Sequence, residues 1–295
     1  MILLDGKGLF QQIKINLSQE VDQLTKEKKR PPHLSAILVG SDPASQTYVN
    51  AKIKACREIG FQSSVFKYPL DVTQDVLLSK IKAINQSQDI DGLIVQLPLP
   101  KHIDSNIVTH SISHQKDVDG FHPVNMGRMV LGLNCFLPAT PCGIISLLDK
   151  YKIETTGKRC VVIGRSHIVG TPISILMSRN KDRGNATVTL AHSRTKNLDK
   201  LTREADIIIA ALGVPNFLKS SMVKKGVVII DVGIHRVPSE NTKSGYKLVG
   251  DVDFDNVSTK ASYITPVPGG VGPMTIASLM QNTLYSAKKL IYSHT

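Results

Sequence analysis

Short apolar runs alternate with amphipathic stretches along almost the whole chain, and that alternation leaves few folds open. LSAILVG (34–40), SSVFKY (63–68), DGLIVQLPLP (91–100), KRCVVIG (158–164), ATVTLAH (186–192), DIIIAAL (206–212) and GVVIIDVGI (226–234) have strand length and strand composition. Between them lie helical patterns. Phe10, Ile13, Leu17, Val21 and Leu24 fall on one face of a helix that Pro31 and Pro32 stop. Residues 72–84, 169–180 and 197–205 read as further helices, and 276–291 as a closing one. Ser45 is the expected N-cap of a helix carrying Tyr48. Strands that alternate with helices in this way build parallel βαβ units, so the expected class is α/β. Lys116–Gly143, rich in Gly, Pro and Asn, reads as a loop followed by a domain crossing, and 236–247 as a surface excursion. No internal repeat is visible.

Composition narrows the function classes. The chain has 295 residues, 41% hydrophobic and 20% charged, enough for two ordinary domains with real cores. No apolar run approaches the ~20 residues that span a bilayer, and Asp5 and Lys7 interrupt the start, so a cytoplasmic protein with no membrane partner is expected. Cys56, Cys135, Cys142 and Cys160 form no CxxC and read as thiols in a reducing compartment. His110 and His114 share a helical spacing but lack a third ligand or an accompanying Glu, so no metal site is expected. The net charge of +12 raises nucleic acid as a partner. Apart from KEKKR (26–30) the lysines are dispersed, and the few aromatics show no stacking pattern, so small anions suffice as the reason for the charge.

Two groups of residues carry chemistry. In VVIGRSHIVGTP (161–172), Gly164 lets the chain turn sharply at a strand end and Gly170 lets the next helix approach, offering N–H groups to a phosphate. Arg165 and Ser166 sit in that turn, and the next strand ends His192-Ser193-Arg194-Thr195. An NAD site would place an acidic residue there; cations and hydroxyls suit a 2′-phosphate, which favours NADP. Gly233 and Ile234 follow another strand and are candidates for the nicotinamide side. In the N-terminal half, Tyr48 and Lys52 stand one helical turn apart. Gln96 ends an apolar strand, and Asp117 and Asp119 lie in KDVDGF (116–121). Each alone has a plain structural explanation, the aspartates as turn residues. Together, ahead of a nucleotide-binding half, they suggest a cleft between domains.

YVNAKIKACREIG, DGLIVQLPLP, KDVDGF, VVIGRSHIVGTP, ATVTLAHSRT, VVIIDVGI, GDVDF and ITPVPGGVGPMT, in this order, resemble the bifunctional methylenetetrahydrofolate dehydrogenase/methenyltetrahydrofolate cyclohydrolase family. The resemblance runs nearly end to end. It implies that Tyr48, Lys52, Gln96 and Asp119 are the catalytic and pterin-binding set, with Tyr48 stacking on the folate ring. Leu97, Pro266, Gly269 and Gly270 join the folate site through QLPLP and the 266–270 loop. Gly164, Arg165, Ser166, Ser193, Gly233 and Ile234 hold NADP. The implied reaction moves a hydride from 5,10-methylenetetrahydrofolate to NADP, then adds water to the cationic methenyl product to give 10-formyltetrahydrofolate. Lys52 is the candidate proton-transfer group, held by Gln96, because a positive ligand disfavours its ammonium form.

The resemblance further implies two domains flanking a cleft, the second a Rossmann-like parallel sheet. Residues 1–142 would form the folate-binding domain, to which helix 273–295 returns, and 143–272 the NADP-binding domain. A homodimer acting on tetrahydrofolates, polyglutamylated ones included, completes the picture. Ala139 and Ala191 stand where cysteines are usual in the family. Two other readings compete: a dehydrogenase without cyclohydrolase activity, and a basic nucleic-acid-binding protein.

Overall fold

Alternation becomes architecture through two parallel sheets in the computed structural model, which describes residues 1–240, 242 and 245–292. The N-terminal elements are β1 (Ile2–Leu3), α1 (Gly6–Lys26), β2 (His33–Val39), α2 (Pro43–Ile59), β3 (Gln62–Tyr68), α3 (Gln74–Gln86), β4 (Gly92–Val95), α4 (Ser105–His110), α5 (Pro123–Val130) and α6 (Ala139–Lys150). There follow β5 (Arg159–Ile163), α7 (Gly170–Ser178), β6 (Thr187–Ala191), α8 (Leu198–Glu204), β7 (Ile207–Ala210), β8 (Val228–Asp231), β9 (His235–Pro238), β10 (Tyr246–Val249), α9 (Phe254–Val257), β11 (Tyr263–Ile264) and α10 (Val271–Ala287). The chain divides into two units. One joins Met1–Phe10 to Thr140–Thr275; the other joins Gln11–Ala139 to the chain from Ile276 onward.

The second of these holds the three-stranded sheet β3-β2-β4, parallel throughout. Its central strand is buried along nearly its whole length, as parallel strands covered on both faces are. Ile37, Val39, Leu93 and Val95 meet Leu77, Ile81 and Ile84 of α3 in one core. α2 buries Ser45, Val49, Lys52, Cys56 and Ile59, a 4-3-4-3 stripe that keeps one face inward for four turns. Arg30, from the basic run at 26–30, is committed to the fold: its guanidinium grips Asp91 through two bonds of 2.7 and 2.8 Å.

The other unit holds the six-stranded sheet β1-β11-β8-β7-β5-β6, with every pair parallel. β6 lies on one side of β5 and β7 on the other, so the strand order reverses at β5. Ligands of doubly wound sheets bind outside the carboxyl ends of the strands at such a reversal.

The fold departs from the sequence reading at five places. Residues 1–10 belong with the six-stranded unit, not with the folate-side domain expected to start at residue 1, because β1 pairs with β11. The N-cap of α2 is Asp42, whose carboxylate accepts from Ser45 N at 2.7 Å, while Pro43 fills the first turn where no donor is needed. The expected loop at 116–143 contains α5, capped by His122 and begun by Pro123, and the start of α6. The surface excursion at 236–247 includes an antiparallel hairpin of β9 and β10; residues 241, 243 and 244 lie outside the described residues. His110 ends α4 and His114 lies beyond it, so the two share no helix face.

Cys56 and Cys160 are fully buried, and burial pushes both thiols up to about 12. Among the described residues no group of three or more His, Cys, Asp or Glu side chains is arranged to hold a metal ion, and no helix is long and apolar enough to cross a membrane.

Candidate active site

Lys52 occupies the middle of the buried stripe of α2, a position where the 4-3-4-3 pattern calls for an apolar residue. It is only 9% exposed. A buried ammonium needs a partner, and the partner comes from the end of β4. Lys52 Nζ donates to Gln96 Oε1 at 3.3 Å. Gln96 in turn donates through Nε2 to Leu97 O at 2.8 Å, which fixes which end of the amide faces the lysine. Its backbone N–H, bonded to Ile37 O, extends the ladder one residue beyond β4, and Leu97–Pro98 is a cis peptide. Tyr48 lies one turn earlier on α2 at the edge of the buried stripe, 38% exposed.

The two aspartates of KDVDGF, alike in sequence, part company in the structure. Asp117 is fully buried and accepts from His122 N, Asn125 Nδ2 and Phe121 N at 2.7, 2.8 and 3.1 Å. It organises the turn that leads into α5. Asp119 is half-buried, and among the described residues no side chain hydrogen-bonds its carboxyl. Burial raises its pKa, the charge of Lys52 lowers it and that of Asp117 raises it. Lys52, Gln96 and Asp119 thus form one polar group in the three-stranded unit, and Asp117 is scaffold.

In the six-stranded unit the candidates line up along the carboxyl edge of the sheet. Gly164 follows β5 at φ +114°, and a β-carbon there would overlap the carbonyl oxygen of Ala211 after β7. A β-carbon on Gly170 would overlap the Gly164 carbonyl oxygen. The two glycines therefore make a close crossing at the sheet's reversal point that no larger residue fits. Arg165, Ser166, Ser193 and Arg194 are exposed around it, the last two in a turn closed by Thr195 N bonding His192 O at 2.8 Å. One expectation needs amendment. The N–H groups of Gly170 and Thr171 at the start of α7 already meet Ser166, through its Oγ at 3.4 Å and its O at 3.0 Å. Ser166 is thus a brace of the turn. The glycine crossing, with cations and hydroxyls beside the end of β6, fits a dinucleotide carrying a 2′-phosphate.

Gly233 and Ile234 follow β8, Gly233 buried and Ile234 37% exposed. Pro266–Gly270 leads into α10 and contains the cis peptide Val267–Pro268. Its Gly270 N–H bonds Pro266 O at 2.8 Å, and Gly269 O accepts from Lys7 N at 2.9 Å, so the loop rests on the N-terminal segment. Residues not singled out from the sequence complete this edge. Buried Asp231 and Asp251 and half-buried His235 form a network behind the loops after β7 and β8. The signal in the sequence was faint: an aspartate two residues from a glycine in DVG (231–233) and next to one in GDV (250–252).

Comparison with known proteins gives the family and the fold. Residues 138–291 match the tetrahydrofolate dehydrogenase/cyclohydrolase NAD(P)-binding domain, and residues 4–119 match the catalytic domain of the same description. The chain is 58% identical over 292 residues to the bifunctional protein FolD of Bacteroides fragilis, covering 99% of this chain and all of that one. The bifunctional FolD methylenetetrahydrofolate dehydrogenase/cyclohydrolase of Campylobacter jejuni superposes with a TM-score of 0.92 at 49% identity, covering 98% of this chain and 99% of that one. The methylenetetrahydrofolate dehydrogenase-cyclohydrolase of Trypanosoma brucei, solved with NADP cofactor and an inhibitor, gives 0.93 at 37% identity, covering 99% of each.

Proposed function

This chain belongs to the tetrahydrofolate dehydrogenase/cyclohydrolase family and is a bifunctional NADP-dependent enzyme of that kind; from that premise we propose which of its residues perform the two activities. NADP, when bound, supplies the acceptor for the hydride that leaves the one-carbon bridge of 5,10-methylenetetrahydrofolate. The chain's part in that step is to bind and orient. Gly164 and Gly170 keep the crossing at β5 open, Arg165 and Ser193 offer a cation and a hydroxyl to the 2′-phosphate, and Gly233 and Ile234 face the nicotinamide. Asp119, whose carboxyl meets no hydrogen-bonding side chain among the described residues, receives donors of the pterin ring. Tyr48 stacks on that ring. Leu97 contributes to the same folate site, and the Pro266–Gly270 loop, Gly269 included, is a further candidate for folate contact.

Water addition depends on Lys52. Its amine takes a proton from the water attacking the methenyl carbon and returns one to the ring nitrogen as the carbon–nitrogen bond opens. The second water proton leaves to solvent, and 10-formyltetrahydrofolate remains. Gln96 holds the amine without adding charge. The observation that carries this reading is the Lys52–Gln96 hydrogen bond, made by a lysine set in a buried helix stripe. The test is Lys52→Met, followed by methenyl absorbance for hydrolysis and by NADPH formation for oxidation. Loss of hydrolysis with folate still bound supports the role, and full hydrolysis removes it.

The reading extends to a cytoplasmic homodimer acting on polyglutamylated folates. Four scattered cysteines with no CxxC suit a reducing compartment. A net charge of +12 suits a polyanionic substrate tail.

A further inference from the structure

Behind the carboxyl edge of the six-stranded sheet lie two buried carboxylates that the two reactions do not use. Asp251 is fully buried, and three donors converge on its two oxygens. Leu212 N and Gly213 N, in the loop after β7, reach Oδ2 at 2.8 and 3.1 Å. His235 Nε2, just past the loop after β8, reaches Oδ1 at 2.7 Å. A carboxylate facing three donors accepts from each, so the ring nitrogen of His235 carries the hydrogen. Asp251 is itself held by Asp231, at the end of β8. Oδ1 of Asp231 takes Asp251 N at 2.9 Å and Gly233 N at 3.0 Å, while Oδ2 takes Val252 N at 3.0 Å. The cradle is shaped for these groups. A β-carbon on Gly233 would strike the Asp251 carboxylate, and one on Gly250 would strike that of Asp231.

Two adjacent buried carboxylates are an expensive way to join loops, since each loses its hydration and they repel one another. Apolar packing would join the loops at lower cost but would not fix the direction of their N–H groups. The loops so joined follow neighbouring strands, β7 and β8. In the order β6-β5-β7-β8 they lie on the side away from Ser193, where the 2′-phosphate is read. We propose that Asp251, seated on Asp231 and locked by His235, is the positioning residue that sets the loops after β7 and β8 for the nicotinamide end of NADP. This rests on the reading that Gly233 and Ile234 face the nicotinamide.

The experiment compares NADP with 2′-phospho-ADP-ribose, which keeps the adenosine half and lacks the ring. Calorimetry on the dimeric or monomeric full chain, as purified, gives both dissociation constants. Asp251→Ala removes the hub; should it fail to fold, His235→Leu removes only the lock. Losing one hydrogen bond to a buried charge corresponds to about tenfold in affinity. His235→Leu is expected to weaken NADP by about that factor, to leave 2′-phospho-ADP-ribose within about twofold, and to speed amide exchange at Leu212 and Gly213 in the protein without nucleotide. His235→Gln, which restores a donor, should return NADP binding to the wild-type value. Equal losses for both ligands, no loss for either, or failure of His235→Gln to restore binding would overturn the proposal. The underlying reading fails separately, if the wild-type protein binds the two ligands equally well.

Discussion

The two units solve the same problem, presenting polar groups at the end of a parallel sheet, by opposite means. In the three-stranded unit the candidate site is made of side chains that interrupt apolar patterns: a lysine within a buried helix stripe and a glutamine just past a buried strand. In the six-stranded unit the candidate site is mostly main chain. Glycines let loops cross, and buried aspartates hold the loops by their N–H groups. A site made of side chains fails in its chemistry when altered. One made of backbone fails first in shape and stability.

Lys52→Met is the sharpest way to break this contrast. Hydrolysis of the methenyl substrate should fall by about 10²–10⁴-fold, the scale of general acid–base help, with the melting temperature nearly unchanged. A large loss of stability would show that this side chain is scaffold as well. Gly170→Ala is the counterpart on the backbone side. Its β-carbon meets the Gly164 carbonyl oxygen, and the expected outcome is about 3 kcal/mol of lost stability together with poor NADP binding, read by urea denaturation and calorimetry.

Asp231 sharpens the comparison through pH. Burial pushes its carboxyl up to about 7, with the neighbouring Asp251 charge adding to the rise and three backbone N–H donors opposing it. A raised folded-state value means the native form holds a proton that the unfolded chain has released. The stability contributed by this group is therefore complete below about pH 4 and drains away as pH climbs through 7. Between pH 5.5 and 8 the wild type should lose about 2 kcal/mol that Asp231→Asn does not, measured by denaturation midpoints. Parallel pH profiles in the two proteins would count against it. The smallest effect is expected from Asp119→Ala. Folate binding should weaken by about tenfold with Lys52 chemistry intact, and an unchanged folate dissociation constant would remove Asp119 from the site.

Much of this was readable before any coordinates. The strands were, because a parallel sheet buried on both faces demands continuous apolar runs. Lys52 and Gln96 stood out as well, since each breaks a local pattern, and the structure joins them by a hydrogen bond. Other features were hidden for physical reasons. β1 is two residues long and finds its partner some 260 residues later, a pairing no local periodicity records. α5 lay within a stretch whose Gly, Pro and Asn content reads as loop, although His122 and Pro123 supply a cap and a first-turn residue. Asp42 beside Pro43 is a better cap signal than Ser45, since the proline needs no donor in the first turn. Asp117 and Asp119 were alike in composition and spacing; the resemblance singled out Asp119, and the donors around Asp117 tie that side chain to the turn before α5. Asp251 was opaque because most of its partners are amides, which every residue but proline carries.

The two sealed sulfurs offer a last lever. Cys56 sits in the three-stranded unit, 3.6 Å from Met280 Sδ, and Cys160 in the core of β5 in the other. Neither thiol can meet an alkylating reagent until its own surroundings come apart. The rate at which each acquires a label, followed by mass spectrometry, is therefore a separate clock for the opening of each half of the chain.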